Sequence, residues 1–255
     1  MRYDELYHHG IKGQRWGVRN GPPYPLSRQK GRRVGAYDVP AGSEVKNTSK
    51  ALFAAPSSIQ TKEAHRLSVM CKLPLKEEPT SLYDDLRATN ATGRMRFGPQ
   101  WQSNCVKASY TYALRRGGLD VTADSVDLFS GILGGMTVDD VKTYVKNADS
   151  ITREVAYNKN SGNPKEKLQG EINKLCGKDK RAYGMYIAQG IFGGHAMAWE
   201  KIGGQIYFMD PQNNSFSTCE SIFNACSKTR SNTSFTFMRL DNAEFDEKKV
   251  KQIVR

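Results

Sequence analysis

Apolar and polar positions alternate in two distinct rhythms along the second half of this chain. In Asn104–Arg116 (NCVKASYTYALRR), Val106, Ser109, Tyr110, Ala113 and Leu114 follow a helical period, and Gly117-Gly118 ends it as a C-cap would. Thr137–Lys146 (TVDDVKTYVK) reads as a second helix with Thr137 at its N-cap. Lys165–Leu175 reads as a third, followed by Gly177. The rhythm then shortens. Tyr183–Ile187, His195–Ile202 and Gln205–Asp210 are rich in β-branched and aromatic residues and read as strands, with Gly203-Gly204 as a hairpin turn between the last two. Thr218–Ser227 is expected to be helical, Thr233–Leu240 (TSFTFMRL) a final strand and Asp241–Arg255 a charged terminal helix. Helices first and an antiparallel meander after them predict an α+β domain rather than a doubly wound sheet.

The first hundred residues carry neither rhythm clearly. Residues 1–50 form a basic leader dominated by glycine, proline and arginine or lysine, too poor in apolar side chains to offset the entropy of ordering them. Residues 51–98 are ambiguous and partly helical: Ser58–Met70 fits a short helix, but Pro56, Pro74, Pro79 and Gly98 punctuate the segment. The main domain is accordingly expected over 99–242, with 243–255 as a charged helical end.

Composition narrows the partners. The net charge is +12, which favours an anionic surface such as nucleic acid, a membrane face or an acidic protein without choosing among them. The chain has 5 cysteines, an odd number, and no C-x-x-C spacing of a zinc or redox motif, so a reduced protein with mostly buried thiols is expected. No metal and no cofactor is called for: there is no zinc-ligand spacing or phosphate loop, and Gly193-Gly194 precedes a strand, not the helix of a dinucleotide fingerprint. Met1–Gly10 is too polar for a secretory signal. The most apolar stretch, Met185–Trp199, is shorter than the roughly 18–20 residues of a membrane span and contains Gln189 and His195.

Three residues bear on chemistry. Cys105 starts a predicted helix, where unpaired N–H groups and the helix dipole favour a thiolate and supply donors for an oxyanion. Asn104 precedes it directly. His195 opens a predicted strand; of 4 histidines, His8, His9 and His65 fall in the weakly patterned amino-terminal part, leaving His195 as the candidate base. Asp210, at the end of the next strand, becomes a cross-strand neighbour of His195 if Gly203-Gly204 makes a tight hairpin, and could then orient the imidazole. Gln212 could share that role or support an oxyanion. Each residue alone also fits a plain structural part: a buried thiol, a satisfied core histidine, an Asp-Pro turn.

Taken together, Asn104-Cys105, Arg115-Arg116-Gly117 with Val121-Thr122-Ala123, Gly194-His195-Ala196 and Asp210-Pro211-Gln212 resemble the papain-fold toxin family described as glutamine deamidases, over about Trp101–Leu240. The resemblance implies a papain-like α+β cysteine hydrolase with Cys105 as nucleophile, His195 as general base and Asp210 as orienter, acting on a protein substrate. A papain-like enzyme also takes an oxyanion donor from a glutamine upstream of the cysteine, for which Gln100 and Gln102 are candidates. At the other end, Tyr7–Asn20 (YHHGIKGQRWGVRN) resembles a tag at the start of phage and prophage proteins of Gram-positive bacteria. The expectation is therefore a phage- or prophage-encoded amidohydrolase, virion-associated or in the bacterial host cytoplasm. Its basic leader would meet capsid or DNA, and a neutralising partner would fit a toxin. The competing expectation is a non-catalytic, basic virion or interaction protein that uses the same fold as a scaffold.

Overall fold

A computed structural model describes residues 61–90, 104–125, 136–157, 164–190, 193–217 and 233–255. The leader, Gln100, Gln102, Cys219, Cys226 and the helix expected over Thr218–Ser227 lie outside them.

The architecture is α+β. In chain order come α1 (Lys62–Cys71), α2 (Leu82–Thr89), α3 (Cys105–Arg116), α4 (Val138–Lys142), α5 (Ala148–Ile151), β1 (Thr152–Tyr157), α6 (Pro164–Cys176), β2 (Arg181–Gly190), β3 (Gly193–Ile202), β4 (Gln205–Asp210), β5 (Ser215–Ser217), β6 (Thr233–Arg239) and α7 (Glu247–Ile253). The sheet is 6-stranded and antiparallel in the order β1-β6-β2-β3-β4-β5. Strands β2 to β5 do form the expected meander. The full sheet is not one, because β6 returns to the far side of β2 and lies between it and β1. Gly203 and Gly204 both take positive φ (60° and 91°) in the β3–β4 turn, the backbone region where glycine meets no Cβ penalty.

Helices cover both faces of the sheet, not one. Period-2 alternation sends Tyr183, Met185 and Ile187 of β2 and Met238 of β6 into a core shared with Tyr110, Ala113 and Leu114 of α3. Ala182 and Tyr186 of β2, Trp199 of β3 and Phe235 and Phe237 of β6 face Leu168, Ile172 and Cys176 of α6. Gly184 is a tight point within the sheet itself: a Cβ there would collide with the Met238 carbonyl of β6 and approach the Trp199 ring of β3 to 2.7 Å.

The core also reaches beyond residues 99–242. Ala64, Leu67 and Cys71 of α1 and Ala243, Phe245, Val250 and Ile253 near the carboxy end belong to the cluster around α3. Leu82 and Leu86 of α2 pack with Tyr112, Ala198 and Met209. Thr61 caps α1 and Ser81 caps α2 through side-chain bonds to Ala64 N–H and Asp84 N–H. His65 thus stands on a formed helix, exposed on its outer side, rather than in a weakly structured region.

Two expected helices are shorter in the structure. Thr137 does cap α4, in a reciprocal box with Asp140, but the helix stops at Lys142 and Val145 forms an isolated β-bridge with Phe245. That bridge also keeps Asp241–Phe245 out of the terminal helix, which starts only after Asp246 caps Lys248 and Lys249.

Candidate active site

Helix α3 is the central element. It is buried from Ala108 to Arg116, and only its first turn, Cys105–Lys107, is half-exposed. A helix so enclosed is fixed by its neighbours rather than by its own propensity. Its last turn is anchored by charge. The Arg116 guanidinium donates to both carboxylate oxygens of Glu200 on β3 (Nε–Oε2 2.9 Å, Nη2–Oε1 2.8 Å) and to Asp85 on α2 (Nη1–Oδ2 3.0 Å). Arg115 Nε and Lys76 Nζ also donate to Asp85 Oδ1, and the Tyr112 hydroxyl donates to Glu200 Oε2 at 2.8 Å. Asp85, Arg116 and Glu200 have no exposed side-chain surface. These bonds hold the carboxy end of α3 against β3 and α2.

The opposite end of α3 brings the sequence-predicted residues together. The Cys105 thiol stands beside the His195 imidazole and the Ala196 backbone N–H, both of which favour its thiolate form. His195 Nε2 lies 3.0 Å from Asp210 Oδ2, which leaves Nδ1 as the ring nitrogen for the sulfur. The β3–β4 register runs from Ile202↔Gln205 to Ala198↔Met209. One further step puts Met197 opposite Asp210, so His195 and Asp210 meet on the diagonal rather than directly across. The His195 side chain is 32% exposed and that of Asp210 8%.

Asp210 is held as an ionised acceptor. Its Oδ1 receives the backbone N–H groups of Gln212 (3.0 Å) and Asn213 (3.2 Å), and its Oδ2 receives the Asn213 amide at 2.7 Å. Burial works against its charge. The His195 cation and the Asn213 bonds outweigh that, and the carboxyl sits below the usual carboxylate range. Burial likewise works against a charged His195, but Asp210 and the thiol raise its pKa well above 6.5. For Cys105, burial pushes the thiol up, and the His195 bond and charge with the Ala196 N–H bring it below 9.0. Among the described cysteines, the buried Cys71 and Cys176 go the other way, both raised by burial. An imidazolium beside a thiolate, backed by a carboxylate, is a pair poised for nucleophilic attack on an electrophilic carbon.

Asn104 and Gln212 lie beside the Cys105–His195–Asp210 line, and Gln212 gives its backbone N–H to Asp210. Asn104 is fully buried at the N-cap of α3, yet its side chain makes no capping bond. Its Nδ2 donates instead to Asn90 Oδ1 (3.0 Å) and the Asp124 carbonyl (3.1 Å). Gln212 Nε2 lies 3.5 Å from Asn104 Oδ1. The Asn104 side chain therefore caps none of the first-turn amides of α3. Gly194 lies close against β2: a Cβ there would stand 3.0 Å from the Ala188 carbonyl, tighter than ordinary contact.

Asn90 and Asn213 are the site residues that the sequence pattern did not single out. Asn213 had a usable signal, because an Asp followed by Asn at i+3 is a common Asx-turn arrangement. Asn90 had none, being a C-cap residue of a helix hidden in a proline-rich stretch. Among the described residues, no group of three or more His, Cys, Asp or Glu side chains is placed to hold a metal ion, and no helix is long and apolar enough to cross a membrane. No family model, curated protein or solved structure matches the chain.

Proposed function

We propose that this chain is a papain-like cysteine hydrolase that attacks a protein amide, by glutamine deamidation or peptide cleavage. The observation that carries the reading is the contact line Cys105–His195–Asp210, with the one described thiol whose pKa is lowered standing at the uncapped start of α3. The Cys105 thiolate adds to the amide carbonyl carbon, and the first-turn N–H groups of α3 receive the developing oxyanion. The tetrahedral adduct collapses as His195 passes its proton to the departing nitrogen, releasing ammonia or an amine and leaving a thioester. His195, now neutral, takes a proton from water. The resulting hydroxide equivalent expels the thiolate and yields the acid. Asp210 holds the ring tautomer and stabilises the imidazolium at both stages.

Glutamine deamidation is favoured by the resemblance in Asn104-Cys105, Gly194-His195-Ala196 and Asp210-Pro211-Gln212, and the likeness of the amino-terminal tag to phage and prophage proteins supports a phage or prophage product acting in a virion or the host cytoplasm. The same resemblance is consistent with a dedicated neutralising partner. The test compares bacteria expressing wild type and Cys105→Ala. Growth inhibition by wild type alone, with ammonia released and an amide-to-acid mass change in a host protein, supports deamidation. New amino termini in the target indicate peptide cleavage instead. Identical growth and identical target masses for both chains leave the second reading, a basic scaffold binding capsid or DNA, for which the +12 charge speaks.

A further inference from the structure

The nucleophile and its orienting carboxylate lie on separate elements, the start of α3 and the end of β4, far apart in sequence. His195 bridges them at the site, and behind it a buried set of amides links the same two elements. Asn90, at the end of α2, donates from Nδ2 to the backbone carbonyl of Gln212 (2.9 Å) and accepts at Oδ1 from Asn104 Nδ2 (3.0 Å). Gln212 in turn gives its backbone N–H to Asp210 Oδ1 (3.0 Å). Asn104 is the residue directly before Cys105. Two short steps therefore lead from Asn90 to the nucleophile on one side and to the orienter on the other. Asn90, Asn104 and Gln212 are all at most 4% exposed.

We propose that Asn90 is a positioning residue of this site, holding the Asn104–Cys105 start of α3 in register with the Asp210–Gln212 turn. The inference rests on the hydrolase reading of Cys105, His195 and Asp210. Asn90 uses one amide as donor and acceptor toward two elements, and few residues supply both at that length. Aspartate keeps the acceptor but loses the donor to Gln212, and alanine loses both. By drawing the Asn104 amide sideways, Asn90 also keeps that side chain from folding back as the N-cap of α3. The N–H groups of the first turn then stay available to the substrate.

A residue that only fills space would lower stability when changed and leave the sulfur's acid–base behaviour alone. A positioning residue would move it, because the Cys105–His195 bond depends on where α3 begins relative to β3 and β4. The experiment measures iodoacetamide modification of Cys105, located by peptide mass, from pH 5 to pH 10, together with thermal unfolding. Wild type, Asn90→Ala, Asn90→Asp and the control Leu86→Ala are compared in the full chain. Leu86 is buried on α2, one turn before Asn90, in the apolar cluster with Tyr112, Ala198 and Met209, and carries no hydrogen-bonding side-chain group.

The expected result is a midpoint below 9.0 in wild type and in Leu86→Ala, and a midpoint shifted upward in Asn90→Ala, with a smaller upward shift in Asn90→Asp. Were Asn90→Ala not to fold, Asn90→Asp, which keeps the volume, carries the same comparison. Unchanged midpoints in the Asn90 variants with lowered melting temperatures would overturn the inference and leave the hydrolase reading intact. A wild-type midpoint at or above 9.0, unchanged in His195→Ala, would remove both.

Discussion

The two ends of α3 carry charged groups in opposite conditions. At the carboxy end, Arg116, Asp85 and Glu200 have no exposed side-chain surface, and the two carboxylates are saturated with donors from Lys76, Thr80, Arg115, Arg116 and Tyr112. At the amino end, Cys105 and His195 keep solvent access, and each depends on one or two partners for its charge state. Dense pairing out of water fixes geometry and lets no proton move. Sparse pairing at a partly wet surface brings the acid–base behaviour of the sulfur and the ring closer together, the thiol lowered and the imidazole raised. One helix thus joins a rigid ionic anchor to a labile thiol–imidazole couple, and the strand β3 carries Glu200 for the first and His195 for the second.

Substitutions can break this contrast at either end. The largest effect is expected from Cys105→Ala and His195→Ala, each lowering any amide-hydrolysing rate by on the order of 10³-fold or more, while the unfolding midpoint of Cys105→Ala changes little. Rate and denaturation measured on the same preparations check it. The anchor should respond in the reverse manner. Glu200→Ala removes the bidentate partner of the buried Arg116, leaving its bond to Asp85, and should cost about 3–5 kcal/mol in unfolding free energy. Modification of Cys105 per folded molecule should stay fast, read by urea titration followed by thiol modification. If Glu200→Ala abolished Cys105 reactivity in a still-folded protein, the division of labour along α3 would be lost.

Acid–base behaviour sharpens the comparison. Removing the imidazole in His195→Ala leaves burial as the main influence on Cys105, so its modification midpoint should rise from below 9.0 to above it. The folded His195 binds its proton more tightly than the unfolded chain does. Its contribution to stability is therefore complete below pH 6.5 and is lost as the pH climbs through its raised folded value, a trend that unfolding curves of wild type against His195→Ala should resolve. The smallest effect belongs to Lys76, whose burial lowers its pKa to about 8 against Asp85. The folded state holds that proton less tightly than the unfolded chain. Stability from this group should therefore increase between pH 8 and the ordinary 10.5, and Lys76→Met should flatten that rise.

Legibility from sequence followed local signals. The start of α3 at Cys105, its end before Gly117 and the β3–β4 hairpin at Gly203-Gly204 carry punctuation that needs no tertiary context. The hairpin in turn made the nearness of His195 and Asp210 readable, although not their diagonal offset. Other elements were silent for physical reasons. β1 reads TREVAY, a charged edge strand whose outward residues do not alternate, and its partner β6 follows some seventy-five residues later, beyond any local pattern. α2 hides behind Pro79, although Ser81 and Asp84 do mark its cap. Arg115 and Arg116 read as part of a motif, and only the packing of α2 and β3 around them turns them into buried ion pairs.

The Arg116–Glu200 fork also constrains how this sequence can drift over generations. Losing Glu200 takes two bonds from the buried Arg116, and losing Arg116 takes a buried cation from both Glu200 and Asp85, so a lineage that abandons the fork must replace both positions almost at once or pass through a poorly folding ancestor. Sister chains should therefore show the two sites either both ionic or both apolar, and mixed pairs should be rare.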